Sequence, residues 1–137
     1  MSEYRKPVPV ASLESKPYWE GIRQHKLVLP RCDECGHTWF PPSHLCPACG
    51  SAGVGWAESR GRGKVFSYVV FHRAYHPGFA GDVPYAVALI ELEEGPRLLG
   101  NVVGIPPDQV ACEMPVRVTF EDVAEGVTLP RFVVDGA

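Results

Sequence analysis

The sequence predicts a mainly β chain: one short N-terminal helix, a metal-stapled ribbon and a C-terminal five-stranded barrel of the OB type. Three observations carry this. Two Cys-x-x-Cys-Gly knuckles, Cys32/Cys35 with Gly36 and Cys46/Cys49 with Gly50, sit in one short early segment. Five short apolar or alternating runs follow them. Fourteen glycines and fourteen prolines in 137 residues mark frequent turns rather than long helices.

The knuckles come first because they constrain the rest. A Cys-x-x-Cys pair presents two thiolates to one ion only if the backbone turns tightly with its N–H groups toward sulfur. The glycine that follows tolerates the left-handed conformation ending such a turn. Cys32, Cys35, Cys46 and Cys49 therefore form a four-thiolate tetrahedral site. Zinc is the expected ion, with iron the competitor, because the same two knuckles also write a rubredoxin and soft sulfur cages suit either metal. Four protein ligands leave no position for water or substrate, so the metal is expected to be structural. His37 and His44 lie beside the knuckles but are surplus to a filled tetrahedron.

Composition narrows the function classes. With 45% hydrophobic and 21% charged residues, the chain has a globular composition. A formal charge of -3 offers no general attraction for nucleic acid. No apolar run approaches the length that crosses a bilayer. The start, Met-Ser-Glu-Tyr-Arg-Lys-Pro, lacks the apolar stretch of a signal peptide, so a cytoplasmic location with reduced cysteines is expected rather than disulfides.

In chain order, residues up to about Leu13 read as an extended arm with Pro7 and Pro9. Ser15 is placed to cap a short helix whose first turn holds Pro17. Tyr18, Trp19 and Ile22 share one face of it, either as core or as a surface for a partner protein, and the helix should end near His25 or Lys26. Leu27-Val28-Leu29 reads as a strand into the first knuckle. Trp39-Phe40-Pro41-Pro42 makes an apolar tongue that its prolines keep from being helical. Gly50 to Gly63 reads as a hinge. This gives an arm and helix over 1–29, a ribbon over 30–52 and a barrel domain over 53–137.

The barrel strands are expected at Val65–Phe71, Tyr85–Leu92, Arg97–Val103, Met114–Phe120 and Thr128–Val134. Hairpins with one longer connection between the third and fourth strands favour a small closed barrel, with a small sandwich as the alternative. Cys112, apart from the knuckles, is expected to be a small buried hydrophobe. Arg60, Arg62 and Lys64 read as a solvated start to the first barrel strand, or as a phosphate-facing patch.

Four motifs, taken in order, carry a family resemblance. They are a helix with Tyr18-Trp19-Glu20-Gly21, the two knuckles, Gly-Arg-Gly-Lys-Val-Phe-Ser-Tyr opening the first barrel strand, and Pro-Tyr-Ala-Val-Ala-Leu-Ile-Glu-Leu in the next. With them the chain resembles the DUF35 family, from about Tyr18 to Phe120. The resemblance implies an N-terminal helix, a rubredoxin-like zinc ribbon and an OB fold. It also implies a non-catalytic subunit of a hetero-oligomer with thiolase-superfamily enzymes, among them acyltransferases and the lipid-transfer-protein-like aldolases that cleave steroid side-chain CoA thioesters. Some relatives are fused to a MaoC-like hydratase domain, which is here expected to be a separate polypeptide.

The residues agree with an accessory role, since no short-range pair is poised for acid/base catalysis. The long loop from His72 to Pro84 is the one segment dense in reactive-looking groups. His72, Arg73, Tyr75, His76 and Phe79, with Tyr18 and Trp19, are the candidates to face a partner or its CoA thioester, and Arg73 is suited to phosphate. The competing reading of the loop is a turn whose aromatics cover the barrel mouth. Two other functions remain open on these residues: a single-strand nucleic-acid binder built on the OB fold, disfavoured by the acidic balance, and an electron carrier with iron at the four cysteines.

Overall fold

The computed structural model describes residues 4–136; the first three residues of the arm lie outside the described residues. The arm has no regular structure and is mostly exposed, and it leads into helix α1, Lys16–Arg23. Pro17 occupies the first turn, where a missing N–H costs nothing. Ser15 does not cap as expected: its hydroxyl accepts from the Ser12 N–H at 2.9 Å and makes no cap bond to the helix. The helix ends at Arg23 rather than at His25 or Lys26, through a Schellman turn. Lys26 N–H bonds the Gly21 carbonyl at 2.8 Å, and His25 N–H bonds that of Ile22 at 2.9 Å. His25 takes the left-handed position (φ 61°) usually given to glycine. Its ring is fixed from outside the helix, stacked 5.2 Å from Phe120 and 3.1 Å from the Asp122 carboxylate.

Strands β1 (Val28–Cys32) and β2 (Val54–Glu58) form an antiparallel ladder, with Val28 opposite Glu58 and Cys32 opposite Val54. The stretch read as a hinge thus contains a strand. Its glycine and alanine dilute the strand pattern, and the ladder comes from β1. The rest of that stretch is pinned. The Glu94 carboxylate accepts from the Ser59 hydroxyl at 2.7 Å and the Arg60 N–H at 2.9 Å, which ties the connection to the turn that follows Leu92.

The remaining strands are β3 (Arg62–Phe71), β4 (Tyr85–Leu92), β5 (Arg97–Val102), β6 (Pro115–Ala124) and β7 (Val127–Val134). They close in the order β3-β4-β5-β7-β6, with β3 returning to β6, which settles barrel over sandwich. β4 alternates cleanly and buries Ala86, Ala88, Ile90 and Leu92. β6 runs past the expected Phe120, because its hairpin ladder with β7 continues to Ala124 opposite Val127. Gly100 lets the barrel wall close on Phe132: a Cβ there would sit 2.7 Å from that ring.

One core serves both the barrel and the elements before it. Tyr18, Ile22, Leu27 and Leu29 cluster with Val65, Ile90, Val116 and Phe132. Burying each large apolar side chain contributes about 1.5–3 kcal/mol, so α1 and the start of β1 are held by the barrel. A second, small cluster contains only Cys32, Trp39 and Cys46, with Val54 packed against it. Cys112 is a correction: it is exposed, on the turn before β6, and is not part of the core. Among the described residues, no helix is long and apolar enough to cross a membrane.

Candidate metal centre and the groove beside it

The two knuckles meet as the spacing required. Gly36 and Gly50 have φ of 77° and 78°, and each donates its N–H to the carbonyl of its knuckle's first cysteine, at 3.0 Å to Cys32 and 2.8 Å to Cys46. Backbone N–H groups point at sulfur. Glu34 and Cys35 donate to Cys32 Sγ at 3.4 Å each, and Ala48 donates to Cys46 Sγ at 3.3 Å. The four Sγ atoms lie within 4.8 Å of one another, with Cys32–Cys49 and Cys35–Cys46 both at 3.6 Å.

Thiolates about 2.3 Å from a tetrahedral ion stand about 3.8 Å apart, so the cage has the size that such an ion needs. All four cysteines are free rather than disulfide-bonded. The Cys35 amide foremost, with the Glu34 amide, outweighs the cost of burial and holds the Cys32 thiol down to about 6, whereas at Cys35 and Cys49 the His37 and Ser51 amides are outweighed by burial and the neighbouring sulfurs, which push the thiols up. Cys32 and Cys46 are buried, whereas Cys35 and Cys49 face solvent. The four together make a candidate site for a structural metal. His37 stays outside it, stacked 5.9 Å from Trp39, and His44 Nε2 lies 3.8 Å from Glu14.

The tongue between the knuckles faces two ways, because consecutive residues of extended backbone point to opposite sides. Trp39 enters the metal cluster with Cys32 and Cys46 and is 7% exposed. Its N–H bonds the Pro30 carbonyl at 3.2 Å, and its indole N–H donates to the Ser43 hydroxyl at 3.1 Å. Phe40 turns the other way and packs on the barrel-side core, 5.1 Å from the Tyr18 ring. There it walls an apolar groove of about 480 Å³, with Trp19, Leu89, Leu99, Leu129, Arg97 and Arg131 among the other lining residues.

The candidate residues do not converge on one site. Tyr18 is 5% exposed and serves the core and the floor of the groove, and burial pushes its phenol up to about 12. Trp19 is half-buried and lines the groove. Phe79 instead lines a second pocket of about 380 Å³ at the barrel mouth, with Lys6, Tyr85, Asn101 and Arg131. His76 caps the short 3-10 turn Pro77–Phe79, its Nδ1 accepting from the Gly78 N–H at 2.9 Å. Arg73 stacks 5.4 Å above Tyr75. His72, Arg73, Tyr75 and His76 all lie toward solvent, Tyr75 with 73% of its surface exposed. Arg62 and Lys64 are partnered by Asp135 at 3.8 Å and Glu113 at 3.0 Å, which favours the solvated-strand reading over a phosphate patch. Leu99, Asn101 and Arg131 escaped sequence reading: each sits in an unremarkable strand, and only the closure of the barrel aligns them.

Two families match the chain: the rubredoxin-like zinc ribbon domain of ChsH2 over residues 19–55, and the C-terminal OB-fold domain of ChsH2 over 56–121. A probable enoyl-CoA hydratase alpha subunit of Thermomonospora curvata is 40% identical over 93% of the chain, which spans only 39% of that relative's length. A DUF35 domain-containing scaffold protein of Methanocaldococcus jannaschii is 36% identical over 78% of this chain and 77% of its own length. Among solved structures, a chain of an Ltp2-ChsH2(DUF35) aldolase superposes with a TM-score of 0.85 at 40% identity, covering 92% of this chain and 98% of that one. With both halves matched in order and relatives of similar size covered over most of their length, the chain belongs to the DUF35 family.

Proposed function

We propose that this protein is a non-catalytic accessory subunit of a thiolase-like enzyme that acts on acyl-CoA or steroid side-chain CoA thioesters. It would form a hetero-oligomer with that enzyme, stabilise it and help to form its substrate channel. The observation that carries the reading is the likeness, over nearly all of both chains, to a chain of the solved Ltp2-ChsH2(DUF35) aldolase. The residues support it: four protein thiolates leave the metal cage no open ligand position, and the apolar groove beside the tongue opens at the surface, where another chain could cover it. The loop residues His72, Arg73 and Tyr75 would face the partner or its CoA thioester, with Arg73 suited to phosphate.

Zinc is the ion proposed for Cys32, Cys35, Cys46 and Cys49, where it would fix the ribbon and supply no reaction chemistry. Thiolates kept reduced fit a cytoplasmic setting. Iron in the same cage would make the chain an electron carrier. A red protein that bleaches on reduction supports that alternative, and a colourless one with a single zinc removes it.

Co-expression with a thiolase-like enzyme from the same source tests the main reading. The pair is expected to co-elute, and the enzyme to lose turnover on its CoA thioester without this chain. Separate elution with undiminished turnover of the lone enzyme overturns it.

A further inference from the structure

We infer that the metal cage and the apolar groove are coupled through the tongue, so that metal occupancy decides whether the groove has its Phe40 wall. The coupling is carried by two adjacent residues with different allegiances. Trp39 belongs to the small cluster with the metal ligands Cys32 and Cys46, and Phe40 to the large cluster with Tyr18. On the cage side, the tongue is tied by bonds that depend on the ribbon's own folding: Cys32 N–H to the His37 carbonyl at 2.8 Å, Trp39 N–H to Pro30 at 3.2 Å, and the isolated bridge between Arg31 and Thr38. On the groove side, the path is a run of ring contacts. Phe40 lies 5.1 Å from Tyr18, and Tyr18 lies 5.1 Å, edge on, from Trp19.

The two sides differ in what holds them. The cage side has three buried residues, two of them the ligands themselves, so four uncompensated thiols within 4.8 Å replace its main stabilisation when the ion leaves. The groove's other walls, Leu89, Leu98, Leu99 and Leu129, stand on barrel strands whose core does not involve the metal. Metal loss therefore frees Phe40 while the walls on α1 and the barrel strands stay, which leaves the groove open along its tongue side. This holds whatever docks there and does not depend on the accessory-subunit reading.

Tryptophan supplies the reporter, because Trp19 is in the groove, Trp39 in the cage and Trp56 on β2. Full-length protein labelled with fluorotryptophan is followed by fluorine NMR, metal-loaded and after chelation under reducing conditions. Chelation is expected to shift Trp39 and Trp19 while amides of β4, β5 and β7 keep their exchange protection within about twofold. Phe40→Ala in the metal-loaded protein should reproduce the Trp19 shift with Trp39 unmoved and the metal content unchanged. Chelating that variant should then move Trp39 and leave Trp19 where it is. The inference is overturned if Trp19 does not respond to chelation, if it still responds in Phe40→Ala, or if the barrel amides lose protection together with the ribbon.

Discussion

The ribbon and the barrel reach a fixed shape by different means. In the ribbon, Cys32, Trp39 and Cys46 are the whole buried cluster, whereas the other cluster contains fourteen buried residues drawn from α1, β1 and Leu27 just before it, Val110 in the β5–β6 connection, and all five barrel strands. Three residues bury too little apolar surface to offset the entropy of ordering two knuckles and a tongue. A metal–thiolate cage supplies what the core lacks, and it does so at one point. The barrel spreads its stabilisation over many contacts, so its losses should be graded where those of the ribbon are abrupt. The ribbon is not free of the barrel, though: Leu27 and Leu29 enter the larger core, and Glu94 clamps the connection after β2.

The comparison breaks most sharply at a ligand. Cys46→Ser removes one of the two buried thiolates, and structural zinc sites contribute on the order of 10–16 kcal/mol of apparent folding energy to small metal domains. The variant is expected to elute without bound metal, measured by elemental analysis, and to lose amide protection in β1 and β2 while the barrel strands keep theirs. A metal-free Cys46→Ser with an intact ribbon would erase the distinction.

The barrel answers next. Phe132 is fully buried, and Phe132→Ala should destabilise by about 3–5 kcal/mol. The urea midpoint should fall while the metal stoichiometry of the folded protein stays the same. Gly100→Ala attacks the same contact from the neighbouring strand β5, placing a methyl 2.7 Å from the Phe132 ring. The expected loss is about 1–3 kcal/mol, and the double variant should cost less than the sum, because the truncated ring vacates the space.

The smallest effect lies at the junction of helix and barrel. The Thr128 hydroxyl foremost, 2.6 Å away, and then His25 hold the Asp122 carboxyl below its ordinary 3.8. Because the folded value is the lower one, this pairing stabilises the fold above pH 3.8 and is lost as pH falls through the folded value. Thr128→Val should raise the Asp122 titration midpoint, read by carbon NMR of the carboxyl, with little change in stability at neutral pH. An unmoved midpoint would show that the hydroxyl is not what holds it.

Legibility in the sequence followed the range of the interactions. The cage was readable because its determinants are local: two cysteines and a glycine within five residues fix each knuckle, and a spacer brings the knuckles together. Tyr85–Leu92 was readable to the residue because one face is buried along its whole length and the alternation is unbroken. β2 was not, since Val54-Gly55-Trp56-Ala57-Glu58 acquires its strand character from the ladder with β1. The exposed Cys112 ran against a composition rule that knows nothing of which side of a turn faces solvent. The helix end was shortened by a histidine in a glycine's conformation, held by Phe120 and Asp122 far along the chain.

The sequence by itself determined the metal ligands, the order of helix, ribbon and strands, and the family resemblance, since each depends on residues close together in the chain or on a pattern that repeats along one element. Tertiary structure alone decided that Trp39 and Phe40 serve different clusters, that the groove joins Trp19 on α1 to Leu99 on β5 and Leu129 on β7, and that the loop at 72–84 lies apart from it. Those outcomes depend on which surfaces meet when the barrel closes, and closure is a property of all five strands together.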